Sequence, residues 1–314
     1  MKTMKNRLAL IATVFAFILV FAPTVKAEAS GVKQTAATAN SATVTWEADT
    51  SSYMKGWNIY IDGVKKSLPK NQTSYNLTGL AQGSVHLVEL ESVYQYSYGE
   101  RTYDEGYCVA KTKPKKVSKI AVKWSQLDYI ELLAQDPSGM YSLDGYTYGC
   151  ADGFEIKIKD KNGKERKKFA ETSNSTYYGG GYQYFKAPSK VKNKGMKVEV
   201  RAYITLANGT KVYGDTYTKV VIPQPKMTKL KSVGKNKVRV YWKKLSGAGK
   251  YTVYKTTNQG KKWKKVKTVS AKTTSCVVSG IKSGNKYGVL VVANNVKVGK
   301  KKYNSTKSWY LYRY

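Results

Sequence analysis

Met196-Lys-Val-Glu-Val-Arg-Ala-Tyr-Ile-Thr-Leu-Ala-Asn-Gly-Thr-Lys-Val-Tyr213 alternates apolar and polar residues as far as Ala202, then turns at Asn208-Gly209 and returns to Tyr213. A period of two is the signature of a half-buried β-strand, and a glycine-containing polar stretch between two such runs is a hairpin loop. The same wording occurs twice more. Residues 86–103 place His86, Val88, Leu90 and Ser92 in alternation, then Gly99 and Tyr103. Residues 287–303 place Tyr287, Val289, Val291 and Ala293, then Gly299 and Tyr303. From Ser92 or Ala202 the glycine comes seven residues on and the tyrosine eleven; in the third copy each arrives one residue earlier.

Each copy extends upstream. Trp57-Asn-Ile-Tyr-Ile-Asp-Gly, Phe154-Glu-Ile-Lys-Ile-Lys-Asp and Tyr251-Thr-Val-Tyr-Lys-Thr-Thr open on an aromatic and carry a β-branched residue two positions later. Before them stand Val44 and Trp46, the less regular Tyr129-Ile-Glu-Leu-Leu-Ala, and Val238, Val240 and Trp242. Helical periodicity is scarce past the first residues. Short alternating strands at regular spacing predict an all-β chain of three tandem immunoglobulin-like β-sandwiches. Lys113-Pro114 and Pro223-Gln-Pro225 mark the joints, because proline stops ladder pairing and stiffens a linker. The expected division is 30–112, 113–223 and 224–314.

Residues 1–29 read as a secretory signal peptide. Lys2, Lys5 and Arg7 precede an apolar run from Leu8 to Ala22, Pro23 breaks it, and cleavage is expected after Ala27 or Ala29. No second hydrophobic run follows, so no membrane span is expected in the mature protein. The three cysteines, Cys108, Cys150 and Cys276, fall one per segment with no metal-site or local-bridge spacing. Cys108 and Cys276 read as small buried hydrophobes, whereas Cys150 lies in a Tyr/Gly-rich stretch and is the candidate for exposure.

The residues argue against catalysis. His86, the one histidine, belongs to the apolar alternation and reads as a satisfied corner residue; a nucleophilic relay would need it beside a nucleophile, and no nucleophile-elbow motif supplies one. No cluster fits zinc, no glycine-rich phosphate loop opens a helix, and Asp160-Lys-Asn-Gly163 reads as a hairpin turn and not a calcium loop. No cofactor is implied. The carboxylates that a glycosidase would pair, Glu89, Glu91, Asp136, Asp144, Asp152 and Glu171, are scattered, and strand parity puts Glu89 and Glu91 on an outer face.

Charge is distributed very unevenly. From Gln224 onward there are 22 Lys and 2 Arg but no Asp or Glu, so this stretch carries 24 of the formal +35. Residues 29–112 are close to neutral, with 7 basic and 8 acidic groups. Such a field predicts anionic partners and salt-sensitive binding. Parity turns Lys237, Arg239 and Tyr241 outward; Lys261, Lys262, Lys264, Lys265 and Lys267 crowd the next edge; Lys300, Lys301 and Lys302 fill the last hairpin. The excess of lysine over arginine favours loose contact with a polymer backbone over planar, bidentate recognition, so nucleic acid would be held only non-specifically. The alternative is that these lysines guard strand edges and confer solubility.

The pattern resembles fibronectin type III domains. Val238-Arg-Val-Tyr-Trp242 resembles that family's second strand with its core tryptophan, and Ile281-Lys-Ser-Gly-Asn-Lys-Tyr287 its leucine-to-tyrosine signature before the sixth strand. His86 takes the tyrosine slot in the first copy and Met196 in the second. Trp242-Lys-Lys-Leu-Ser-Gly-Ala248 and Gly299-Lys-Lys-Lys-Tyr-Asn-Ser305 resemble lysine-rich versions found in secreted and surface proteins of Gram-positive bacteria. The resemblance implies a spacer or binding module, here a secreted or wall-associated, non-enzymatic surface or matrix protein. Its third domain would be held to teichoic acid, acidic polysaccharide or DNA.

If that family's strand order holds, two tyrosine-rich segments of the middle copy meet at one pole with the hairpin Leu206–Gly209. One is the insertion 135–153 with Tyr141, Tyr146 and Tyr148; the other is 172–185 with Tyr177, Tyr178 and Tyr182. Tyr, Ser, Gly and Asn are the chemistry of adaptable recognition loops, so a glycan- or protein-binding adhesin is the rival reading. The alternative is that these tyrosines pack on one another and on the linker. Tyr94, Tyr96 and Tyr98, and also Tyr310, Tyr312 and Tyr314, read as ladders that stabilise hairpins. Leu290 and Val292 fall on outward parity and suggest an apolar patch.

Overall fold

The computed structural model describes residues 31–307 apart from 125–128, 136, 139, 144–145, 176–179, 192–193, 283 and 285. The leader reading, Asp136, Asp144, Tyr177, Tyr178, Tyr310, Tyr312 and Tyr314 lie outside the described residues.

The described chain is all β. In the first segment, β1 (Lys33–Ala37), β2 (Ser41–Thr45) and β5 (Ser74–Thr78) form one sheet in the order β1-β2-β5. The second sheet, β4-β3-β6-β7, contains β3 (Met54–Ile61), β4 (Val64–Pro69), β6 (Val85–Tyr96) and β7 (Gly99–Lys111). All pairs are antiparallel. Alternate residues of the two sheets interdigitate into a core that includes Val44, Trp46, Trp57, Ile59, Val88 and Leu90. Trp46 meets Trp57 edge to face with centroids 5.9 Å apart, a favoured aromatic geometry.

The middle segment repeats the plan with β8 (Lys119–Trp124), β9 (Tyr129–Gln135) and β14 (Gly180–Lys186) facing β12 (Gly153–Asp160), β13 (Glu165–Ser175), β15 (Met196–Thr205), β16 (Lys211–Tyr213) and β17 (Tyr217–Val221). An additional hairpin, β10 (Met140–Leu143) and β11 (Tyr146–Gly149), lies between β9 and β12. The two sheets are continuous along one margin, where Asn174 pairs with Gly181 and Ser175 with Gly180.

The third segment pairs β18 (Met227–Gly234), β19 (Lys237–Trp242) and β22 (Ser275–Ser279) in one sheet. β20 (Lys250–Thr256), β21 (Lys264–Ser270) and β23 (Gly288–Asn294) form the other, and β24 (Val296–Val298) and β25 (Lys301–Tyr303) make a closing hairpin. First, second and fifth strands against the remainder is the fibronectin type III order that the resemblance implied. The recurrent glycines have a local cause. Gly99, Gly209 and Gly299 take φ of +124°, +79° and +60°, conformations open to glycine and strained for other residues. The missing residue of the third copy is absorbed at Asn295, whose φ is +54° and which separates β23 from β24.

Four expectations are corrected. Segment 172–185 is mostly strand, since β13 runs to Ser175 and β14 starts at Gly180. Gly181 serves packing: a Cβ there would lie 2.7 Å from the Phe154 ring. Cys150 is fully buried and donates to Thr112 O at 3.3 Å, because its loop folds back onto the first segment; Cys108 is the partly exposed thiol. Leu290 and Val292 are buried, so β23 is covered on both faces and presents no apolar patch. Ile222, which the expected division assigns to the middle segment, packs into the third core.

Candidate functional site

Three constellations carry chemistry. The first is the outer face of the sheet β18-β19-β22. Cross-strand pairing puts Lys231 beside Arg239 and Arg239 beside Val277, while Lys229 pairs with Tyr241 and Gly234 with Lys237. Lys229, Lys231, Lys237 and Arg239 are exposed. Neighbouring strands stand about 4.8 Å apart and alternate residues about 7 Å apart, so each of these four cations lies within about one Debye length of its nearest neighbours at roughly 0.1 M salt. Lys229 and Lys231 escaped the sequence reading because bulges at Met227/Lys229 and Ser232/Gly234 break the alternation of β18.

The cationic surface continues around the margin between the two sheets. Lys255 donates to Ser279 O across it at 2.7 Å. Burial pushes the Cys276 thiol up, and the charges of Lys267 and Arg239 pull it partly back. Lys264, Lys265 and Lys267 stand exposed on β21, with Lys261 and Lys262 exposed just before it. Lys300, Lys301 and Lys302 are also exposed but belong elsewhere. Their hairpin bonds to the turn before β20 through Lys297 N to Gly247 O at 3.1 Å, and Val298 packs beside Gly195 of the middle segment. Since no acid follows Gln224, nothing within this segment neutralises the face.

The second constellation is the tyrosine-bearing pole of the middle segment. It is seated on the first. Ala207 N donates to Gln34 O at 3.0 Å, and Lys111 pairs with Asp152 at 2.5 Å. Cys150, Ile204 and Leu206 form a small apolar cluster with Ala37 and Val85. β10 runs beside β6. Tyr141 pairs in register with Tyr148, and Leu143 with Tyr146. Tyr182 sits on β14 opposite Leu133, on a sheet face and not in a loop. The pole therefore contributes to a junction between the first two segments, and the side chains of Tyr141, Tyr146 and Tyr148 lie outside the described residues.

The third constellation corrects the reading of His86. It is indeed hydrogen-bonded at a corner, but a serine does stand beside it. Nε2 lies 2.8 Å from Ser84 Oγ, and Nδ1 lies 2.7 Å from Asp62 Oδ2. This has the order of a nucleophilic relay. An oxyanion needs free donors beside the nucleophile, and here they are committed. Ser84 N donates to Thr112 Oγ1 and Ala81 O, and Gly83 N to Lys113 O. Asp62 also accepts from Leu87 N at 3.0 Å, so the triple clamps the corner where β6 begins.

No family model matches this chain, and no curated protein matches it. Among solved structures it is similar to the chicken CNTN1 FN1-FN3 domains, at 15% identity over 89% of this chain and 95% of that one, with a TM-score of 0.29. It is similar also to the central fibronectin-III array of RIM-binding protein, at 14% identity over 89% and 95%, with a TM-score of 0.23. A part is similar to the Clostridium perfringens spore cortex lytic enzyme SleM, at 18% identity over 24% of this chain and 27% of that one, with a TM-score of 0.19. The assignment of fold rests on the strand order described above.

Proposed function

We propose that this chain is a secreted, non-enzymatic surface or matrix protein of a Gram-positive bacterium, held to an anionic polymer by its third segment. One observation carries the reading: Lys229, Lys231, Lys237 and Arg239 lie in register on one exposed sheet face in a segment without a single acid. Solubility alone is served by mixed signs, whereas an unneutralised cationic face gains free energy when a polyanion replaces its counterions. Hydrated lysine heads suit a repeating phosphate or carboxylate backbone without reading its sequence. Teichoic acid, acidic polysaccharide and extracellular DNA share that chemistry.

The test is co-sedimentation of the full chain with purified Gram-positive walls, intact or stripped of teichoic acid, across a salt series. Binding that needs the teichoic acid and fades with salt supports the proposal. Binding that ignores both removes it. The rival adhesin reading through the middle pole has its own test: binding that persists as salt rises and fails when Tyr146 and Tyr178 are changed to Ala.

A further inference from the structure

The corresponding pole of the first segment carries a different surface. β6 and β7 outrun β3, which pairs with β6 only as far as Met54 and Tyr94. The end of this hairpin therefore stands beyond the sandwich, braced by Gln95 N donating to Tyr53 O at 2.9 Å. Five tyrosines gather on it. Tyr96 lies 5.2 Å from Tyr98 with rings 2° from parallel, 6.0 Å from Tyr94 at 16°, and 5.2 Å from Tyr53 at 33°. Tyr103 meets Tyr94 edge to face at 5.4 Å.

A ladder that only stabilised the hairpin would bury its rings. Here Tyr53, Tyr98 and Tyr103 are 56%, 70% and 49% exposed, three of the seven large apolar or aromatic side chains left exposed among the described residues. Clustered exposure of this kind marks a binding surface. Both signs of charge stand nearby: Lys55 pairs with Glu100, and Asp49 accepts from the Tyr94 hydroxyl. Arg101 lies 5.9 Å from the Tyr98 ring centroid.

We propose that this tyrosine stack is a platform for a neutral glycan chain. Sugar rings present C–H faces to exposed aromatic surface, and their hydroxyls find partners in the tyrosine hydroxyls and in Lys55, Glu100 and Arg101 at the rim. Single-stranded nucleic acid also stacks on aromatics, but it needs a positive groove, and this segment is close to neutral. A protein partner would anchor side chains in recesses, whereas the rings here lie stacked at the surface with Tyr53 and Tyr98 more than half exposed. The proposal is independent of the cationic segment.

The experiment is affinity electrophoresis of the full chain through hydroxyethylcellulose, soluble β-glucan, galactomannan and mannan. Binding is then repeated in solution at about 0.5 M salt, where surface electrostatics are screened. Retardation by at least one of these is expected, weakened about tenfold per ring removed in Tyr53→Ala and Tyr98→Ala. It should survive replacement of Lys229, Lys231, Lys237 and Arg239 by Gln. Tyr98→Phe keeps the ring and should keep most of the binding, which separates the platform from a folding defect. No retardation on any of the four, or retardation unchanged in the doubly substituted chain, overturns the proposal. So does tyrosine-dependent binding confined to single-stranded DNA.

Discussion

Arg201 donates Nε to Glu155 at 2.8 Å and lays its guanidinium carbon 3.6 Å from the ring centroid of Tyr213. Glu155 is only 4% exposed and is also held by Lys168 at 2.8 Å and Lys157 at 3.3 Å. The three homologous positions of this outer face differ in kind. Where the middle segment has Glu155 and Arg201, the first has Asn58 hydrogen-bonded to Glu91, and the third has Thr252 paired with Val292. The same fold thus tolerates a polar, an ionic and a largely apolar covering of one sheet.

Burial would raise the Glu155 carboxyl, but its bonds to Lys168 and Arg201 prevail and bring it down to about 2 from 4.5. A carboxyl whose folded value is depressed stabilises the fold above its unfolded value and loses that stabilisation as pH falls through the folded one. The contribution is about 3 kcal/mol at neutral pH. Stability of the middle segment should therefore decline between pH 4.5 and about 2. Urea unfolding of Glu155→Gln should show a loss of this size at pH 7 and a flattened acid dependence; an unchanged acid profile would discount the network.

Replacing Lys229, Lys231, Lys237 and Arg239 by Gln should weaken binding to a polyanion such as polyphosphate without altering the melting temperature by more than a degree or so. For a single-stranded polyanion the slope of log K against log salt should fall by about 3, at roughly 0.7 per lost contact. Replacing Lys300, Lys301 and Lys302 should matter less, since that hairpin lies apart from the sheet face. Equal slopes for the two variants would mean that total charge and not this face does the binding.

Gly181→Ala should destabilise the middle segment by about 1–3 kcal/mol. The added methyl meets the ring of Phe154, which is fully buried in the core. Gly163→Ala is the control: no atom crowds its Cβ, and only its φ of +88° opposes the change. Thermal melts that rank the two variants the other way would show that backbone strain outweighs the core collision.

Thiol titration tests the corrected cysteine placement. Cys150 is fully buried, and burial pushes the Cys108 thiol up to about 12. The Cys276 thiol is raised as well. The thiolate is the reactive form, so a bulky disulfide reagent at pH 8 should modify less than one thiol per folded chain within minutes and all three in urea. Rapid labelling at Cys150 would show that the junction with the first segment opens.

The Ser84, His86 and Asp62 clamp makes the last prediction. Ser84→Ala should leave any background hydrolysis of an activated ester unchanged, whereas His86→Ala should lower the melting temperature of the first segment. A hydrolysis rate that disappears with Ser84 would establish a nucleophile where the amides around it suggest none.

Much of the fold was legible in the chain because it is local. The in-and-out alternation at Val198, Val200 and Ala202, the turns at Gly99, Gly209 and Gly299, and the excess of lysine after Gln224 each follow from a few consecutive residues and the two-residue period of a strand. Tertiary structure decided what depends on partners distant in sequence. Register across two bulges in β18 brought Lys229 and Lys231 alongside Arg239. The stretch after β9 folded back so that Cys150 reached Thr112 of the first segment. An unpaired hairpin end left Tyr53 and Tyr98 exposed. Alternation tells which face of its own sheet a residue takes; only the pairing of strands and the packing of sandwiches determine what covers that face.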